Sequence, residues 1–478
     1  MFKRLAYFLL FFTSFQAIAQ SHLTPTYQPG GSIPNLSVYD ALSPMPTLNG
    51  PGWWYFVGLL KDQTKQPHSL QAMILRTNII NQPYGIGAIG FTFKNTAGKT
   101  IYLWNLYPDM NSLLHYPVAP LNYSNADQND FHVTIQSTSI NNPFLYQFAH
   151  DTSDTLHAVG QIDAQYHFNA NGVAEIGAAE NKNEWVHYDL QMTLQDKRGL
   201  VPEGDNGFVG QAQTQLENAQ NSWEFAAPKL RVLQWKITIQ PINPTSNSLL
   251  KNNKTFQNTR AKNHVWLDRQ ILDKKSSITS IAKTVFNHTL PADINKPLYH
   301  GTWMSFCFNK KKFHSVCGDA VAIWKKGTPV SAMDSDKTAT GGFMNLFTPD
   351  SNNAGFPQQI GNTLTETLSM NENNKSLPYE IKNNPESIFQ SPLSGRSYAQ
   401  SVTIKIKKNT LIAAYLNTLD PDHSQNTFTL KFVALSRQTE NIMLSNHNGF
   451  YEGAARVYLC DEAECQPVGA GFMEQMGY

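Results

Sequence analysis

The segment Val265-Trp266-Leu267-Asp268-Arg269-Gln270 sets one carboxyl between aromatic and basic neighbours. A carboxylic acid in an apolar pocket has its charged form disfavoured, so it keeps a proton at neutral pH and can deliver it. General-acid catalysis at a weakly basic centre needs such an acid and a surface that tolerates the cation it creates. Aromatic faces attract positive charge through the ring quadrupole, and exclusion of stray water protects the cation. Asp268 is the candidate acid, Trp266 and Trp223 are its candidate catalytic partners, and Phe225 is a candidate wall of the ligand site. A competing reading makes Asp268 the ion-pair partner of Arg269 or Arg76 at a domain junction, because ion-pair networks perturb carboxylates as readily as active sites do. Arg76 is a candidate ligand contact, and on the competing reading a buried partner instead.

Other motifs lead nowhere chemically. Gly85-Ile86-Gly87-Ala88-Ile89-Gly90 fits the spacing of a dinucleotide-binding turn, but Phe91-Thr92-Phe93 continues as a strand where a helix would have to start. Glycines in a strand instead let it bend or let another group approach closely. The chain contains neither a G-x-S-x-G elbow nor an H-E-x-x-H pair. Asp420-Pro421-Asp422 and Glu203-Gly204-Asp205-Asn206-Gly207 read as turns rather than calcium loops. No metal and no cofactor is expected.

The first residues carry Lys3 and Arg4, an apolar run from Leu5 to Phe12 and then Ala17-Ile18-Ala19, the pattern of a signal peptide over 1–19. The run is too short to span a bilayer, and no later stretch reads as a membrane span. The mature protein is expected in the periplasm or outside the cell. No cysteine precedes Cys307, which argues against a lipid-anchored leader. Export permits disulfides. The four cysteines allow three pairings; Cys307 with Cys317 and Cys460 with Cys465 each bracket a turn and are the expected hairpin staples. A four-thiolate zinc site fits less well, since Cys307 and Cys317 are too far apart for a knuckle.

The chain has 478 residues, a formal net charge of +1, 15% charged and 12% aromatic residues. With no basic stripe to displace counterions from phosphates, nucleic acid is not an expected partner. A mean hydropathy of −0.37 describes a wet surface around an aromatic interior. The length suits two domains.

Period-two alternation dominates. Val186, Tyr188, Leu190, Met192 and Leu194 form one face of a strand; so do Leu233, Trp235, Ile237 and Ile239, and Val402, Ile404 and Ile406. Further strands are expected at 69–79, 86–95, 100–107, 131–137, 156–168, 302–309, 313–324, 411–417, 427–436 and 451–459, and a short helix near 278–285. Segments 243–258 and 348–394 read as loop-rich excursions. Many short strands parted by turns, in an exported chain that should not expose strand edges, predict closed antiparallel barrels. Trp53, Trp54 and Trp303 are expected to plug the barrel floors.

A set of segments then stands out together. Trp53-Trp54-Tyr55-Phe56-Val57-Gly58 opens the first strand, Met73-Ile74-Leu75-Arg76 follows, Trp266-Leu267-Asp268 and Trp303-Met304-Ser305-Phe306-Cys307-Phe308 come later, and Tyr451 to Val457 with Gly469 to Tyr478 close the chain. In this order the set resembles the AttH-like family, which includes carotenoid 1,2-hydratase, kievitone hydratase and some pericyclic-reaction enzymes. The resemblance implies two consecutive lipocalin-like β-barrels, here 20–272 and 273–478, around a hydrophobic small molecule. It also implies hydration or isomerisation of an isoprenoid, polyene or related lipid, with a non-enzymatic carrier as the alternative. Tyr55 and Glu452 join the candidate ligand contacts on this basis, and Glu474 resembles a family position as well. The chain departs from the carotenoid enzymes at Trp266, where a tyrosine would be expected, and Asn221 to Pro228 contains no histidine. Oligomeric state is not legible in the sequence.

If the leader is read correctly, protein recovered from an exporting host starts at Gln20, which N-terminal sequencing and intact mass will show; product beginning at Met1 would refute it.

Overall fold

The computed structural model describes residues 52–79, 82–105, 118–125, 131–139, 142–152, 164–177, 184–196, 201–203, 208–211, 221–259, 263–272, 299–309, 316–325, 328–334, 339–347, 363–368, 379–391, 395–408, 410–419, 427–437, 439–442, 449–460 and 464–476. The leader, the 278–285 helix expectation and the Asp420-Pro421-Asp422 turn lie outside the described residues, as does the boundary near 273.

Fourteen strands build the first unit: β1 Gly52–Lys61, β2 Pro67–Ile79, β3 Gln82–Lys94, β4 Thr100–Trp104, β5 Val118–Asn125, β6 Phe131–Ser139, β7 Asn142–Thr152, β8 Ala164–Gly177, β9 Glu184–Asp196, β10 Val201–Pro202, β11 Phe208–Gln211, β12 Asn221–Pro241, β13 Lys254–Asn258 and β14 His264–Leu272. Antiparallel pairing runs β1, β2, β3, β4, β8, β9, β12, β14 and back to β1, a closed ring of eight in chain order. That is the up-and-down barrel of lipocalins. β5, β6 and β7 bridge the lower part of β3 to β8 where the short β4 has ended, which widens the ring at one end.

Alternation decides which side chains enter. On β9, Val186, Tyr188, Leu190, Met192 and Leu194 are buried while His187, Asp189 and Gln191 are exposed. β12 departs from the expected phase: the register shifts between Val232 and Gln234, so Val232 rather than Leu233 takes the inward place beside Trp235, Ile237 and Ile239. A bulge inserts one residue and so moves the pattern by one face. Inside, Phe56 meets Phe148 edge-on at 5.2 Å and tilts against Phe168 at 5.3 Å. Asn105 ties this interior together, accepting from the Ile89 amide at 2.8 Å and donating to the Tyr146 hydroxyl at 2.5 Å, which in turn bonds Tyr188. Gly87 faces the same interior, and a methyl there would overlap the Tyr146 ring.

Twelve strands follow: β15 Tyr299–Phe308, β16 Cys317–Lys325, β17 Ala339–Phe347, β18 Thr363–Leu368, β19 Tyr379–Asn383, β20 Ile388–Gln390, β21 Ser397–Ala399, β22 Ser401–Lys407, β23 Thr427–Ala434, β24 Glu440–Ile442, β25 Gly449–Cys460 and β26 Cys465–Met476. β15 to β18 and then β19, β22, β23, β25 and β26 again follow chain order, with β26 returning to β15. The sheet curls into a second barrel whose ends β18 and β19 share no ladder among the described residues. Helix α1, Leu411–Leu419, packs against β18 and β22 beside that gap. This helix corrects the strand expected at 411–417. Thr410 accepts from the Ala413 amide through its hydroxyl at 3.0 Å, an N-cap, and Ile412, Ala413 and Leu416 bury one helical face. The disulfides are those expected, Cys307 to Cys317 and Cys460 to Cys465, across paired positions of β15 with β16 and of β25 with β26.

Three apolar clusters result: one inside each barrel, and a third made of outward-facing residues pressed between them. Trp54 fills the first barrel, but Trp53 and Trp303 pack against the third cluster, so only one of the three expected floor plugs is inside a barrel. Neighbours on a strand point oppositely, and Trp53 must leave the face that Trp54 enters.

Because Gly87 is fitted against a ring in a filled core, Gly87→Ala should lower stability by about 1–3 kcal/mol, as overpacking does. Urea unfolding measures this, and an unchanged midpoint would contradict the packing described.

Candidate functional site

The site is built from the outward faces of β1 and β14 and the facing strands β25 and β26. On β1 the residues Trp53, Tyr55, Val57 and Lys61 share the outward face, since Trp54 and Phe56 take the inward one. The register sets Tyr55 opposite Asp268 and Val57 opposite Trp266. In the second barrel Glu452 lies opposite Glu474, and Glu474 opposite Trp303. Two cross-strand rows thus face one another across the junction.

Contacts join the rows. The Tyr55 hydroxyl donates to Glu452 Oε2 in a very short hydrogen bond, and Trp53 Nε1 donates to Asp268 Oδ2 at 2.8 Å. Gln71 Nε2 donates to the Glu452 backbone carbonyl at 2.8 Å, and the Ala454 amide donates to Ser69 Oγ at 3.2 Å. Aromatic rings enclose the group: Tyr55 meets Phe472 edge-on at 6.5 Å, Trp266 meets Trp303 edge-on at 6.2 Å, and Trp303 tilts against Phe472 at 6.4 Å.

Burial, and then the neighbouring Glu474 carboxyl, push the Glu452 carboxyl well above the usual carboxylate range; Tyr55 pulls the other way and Asp268 adds to the rise. Desolvation disfavours a charged form, and two carboxylates in one dry site cannot both ionise. Glu452 is therefore the carboxyl of this junction whose protonated form the surroundings favour. Burial likewise raises the Tyr55 hydroxyl well above the ordinary phenol value, with Glu452 next in effect.

Of the residues singled out in the sequence, Asp268, Trp266, Tyr55 and Glu452 meet at this junction. Phe225 does not: it belongs to the interior of the first barrel, while its neighbour Ala226 faces the junction. Arg76 shares the inward parity of Ala72 and Ile74, and Arg269 that of Leu267, so both leave the faces opposite the carboxyls. The Arg269 guanidinium stacks over Trp54 at 4.3 Å. Burial pulls it down to about 9, Arg76 adds to that, and Asp268 opposes it. Gly52 leaves the space this guanidinium crosses, since a Cβ there would touch Arg269 Nη1 at 3.0 Å. The Trp223 side chain lies outside the described residues. Trp53, Gln71, Trp303, Phe472 and Glu474 complete the site and were not weighed as a group in the sequence. Their signal was present: Trp53-Trp54-Tyr55-Phe56-Val57 is apolar on both faces, which marks a strand covered on both sides.

Next to this cluster an open cleft of about 410 Å³ runs between the barrels, lined by Val57, Trp266, Phe472, Phe306 and Pro228 among others. Each lining residue Val57, Trp266 and Phe472 is two places along its strand from Tyr55, Asp268 and Glu474 respectively, so cleft and carboxyls are successive layers on the same faces. Among the described residues no cluster of His, Cys, Asp and Glu is arranged to hold a metal ion, and no helix is long and apolar enough to cross a membrane.

The fold and junction define a tandem antiparallel β-barrel protein. Its overall structure is similar to that of a putative AttH from Nitrosomonas europaea, at 15% identity, covering 95% of this chain and 100% of that one with a TM-score of 0.49. It is also similar to kievitone hydratase from Nectria haematococca, at 13% identity, covering 95% and 96% of the two chains with a TM-score of 0.45. No protein-family model and no curated protein sequence matches the chain.

Glu452 sets a test of the electrostatics. Its carboxyl is raised in the folded protein relative to an unfolded value near 4.5, so it contributes stability fully below that value and loses it as pH climbs toward the folded pKa. Glu452→Gln, which mimics the protonated group, should gain stability over the parent as pH rises from 4 to 8. Thermal unfolding across that range checks it; parallel curves would mean that Glu452 is not held protonated.

Proposed function

We propose that this chain is an exported protein that encloses a hydrophobic molecule between its barrels and hydrates or isomerises a double bond in it by acid catalysis. The observation that carries the reading is a buried Glu452, its carboxyl pushed upward by burial and by Glu474, hydrogen-bonded to Tyr55 directly behind an aromatic-floored cleft. Glu452 gives its proton to one alkene carbon, leaving a cation on the other, and the faces of Trp266 and Phe472 stabilise that charge. In hydration a water adds to the cation and loses its proton to Asp268, which Trp53 holds by its Oδ2; return of that proton to Glu452 closes the cycle. In isomerisation the cation loses a neighbouring proton to the same carboxylate. An isoprenoid, a polyene or a related lipid has the double bonds and the apolar body that such a site requires.

A second reading is a carrier without chemistry. What favours it is that the same polar groups pin one barrel to the other, through Tyr55 to Glu452 and Gln71 to the Glu452 carbonyl.

Incubation with a lipid extract, followed by mass spectrometry of bound and altered species, separates the two. Conversion that falls about 10²–10⁴-fold in Glu452→Gln and in Asp268→Asn, the usual cost of losing a general acid or base, while ligand is still retained, supports the enzyme. Retention with no conversion by the parent protein supports the carrier.

A further inference from the structure

The cleft has two chemically different ends. Its floor, at Val57, Trp266 and Phe472, is apolar. Its mouth carries Lys61, Lys65 and Lys229, with Asp62 as the acid among the lining residues. Asp62 is turned into its own hairpin: its Oδ1 accepts from Thr64 Oγ1 at 2.7 Å and from the Gln66 amide at 2.9 Å, and its Oδ2 lies 3.4 Å from His68 Nε2. Lys229 Nζ donates to the Phe308 carbonyl at 3.5 Å, on the far wall of the cleft. Lys61 and Lys65 are exposed.

The backbone of the mouth is tied down by hydrogen bonds. The Lys61 carbonyl accepts from both Asn258 Nδ2, at 2.9 Å, and Asn263 Nδ2, at 3.0 Å, and the Gln63 amide donates to the Gln257 carbonyl at 3.0 Å. Lys61 stands on the same strand face as Val57, about 13 Å away at the rise of a β-strand. From mouth to interior the order along β1 is therefore cation, apolar floor, then Tyr55 and the acid cluster.

We infer that the occupant of the cleft is an amphipathic anion, an acyl or isoprenoid chain bearing a carboxylate or phosphate head, with the head at Lys61 and Lys65 and the chain running inward to Trp266 and Phe472. A neutral hydrocarbon would leave the lysines without a role in recognition, whereas an anionic head is held by them in water and fixes which end of the chain reaches Glu452. This rests on the proposed reading that a hydrophobic molecule enters the junction, and it names the class of that molecule.

The test uses the full chain and two matched pairs of probes: cis-parinaric acid with its methyl ester, and farnesyl phosphate with farnesol. At low salt the parent protein should bind at least one acidic probe about tenfold more tightly than its neutral partner, as roughly 1.4 kcal/mol from two exposed charges would give. The gap should close in the double variant Lys61→Gln, Lys65→Gln and at high salt, with neutral-probe affinity unchanged. Discrimination within the acid and ester pair alone identifies a carboxylate head, and within the farnesyl pair alone a phosphate. Equal affinity for acidic and neutral probes overturns the anionic head while leaving hydrophobic binding standing, as does a preference that survives in the double variant. Binding of none of the four overturns both this inference and the reading beneath it.

Discussion

A sheet that closes on itself has an inside and an outside, and in this chain the outside of the first barrel is buried too. Tyr55, Val57, Met73, Leu75, Trp104 and Trp266 point away from the first core and pack against Phe347 and Phe472 of the second barrel. Removing that apolar surface from water favours docking. It also creates a dry seam, where a few polar groups acquire unusual properties. Each barrel alone would leave the seam wet.

The carboxyls gain their character from that dryness. In water Glu452 would ionise at ordinary acidity; between the barrels it faces Glu474 on the paired strand, with Asp268 near enough to add to the repulsion. A buried charge must be neutralised or compensated. Tyr55 and the Gln71 amide supply hydrogen bonds that fix Glu452 in place without supplying a cation. The cations of this region, Arg76 and Arg269, belong by strand parity to the other side of the wall, inside the first barrel. Strand alternation thus sorts acid from base by one residue step, and keeps an acidic seam beside a basic core end.

Much of this was readable from residue types. Alternation over Val186 to Leu194 and over Val402 to Ile406 gives strands and their buried faces directly, because period two is the only spacing that loads one face of a strand. The bulge at Leu233 and the helix at Leu411–Leu419 were not readable in the same way. A bulge is a pairing event with another strand, and a nine-residue apolar stretch carries too few turns to declare its period. At the site, Asp268 beside Trp266 was legible as a carboxyl among aromatics. Its partnership with Glu452 was not, since register within a barrel follows from local alternation, whereas the facing of two barrels depends on shape. Phe225 as an aromatic wall and Arg76 as an ion-pair partner or ligand contact are readings of residue type, and the pleat turns both to the opposite side.

The hydrogen bond from Tyr55 to Glu452 joins residues 397 positions apart, and the bond from Trp53 to Asp268 spans 215. The first barrel can close once its final strand has been synthesised, and it then presents a tryptophan-rich patch with nothing to cover it. Only when the last hairpin arrives does the nascent chain acquire a shielded acid. Assembly of the seam thus waits on β25 and β26, and a polypeptide that stops short of them would leave the apolar patch bare.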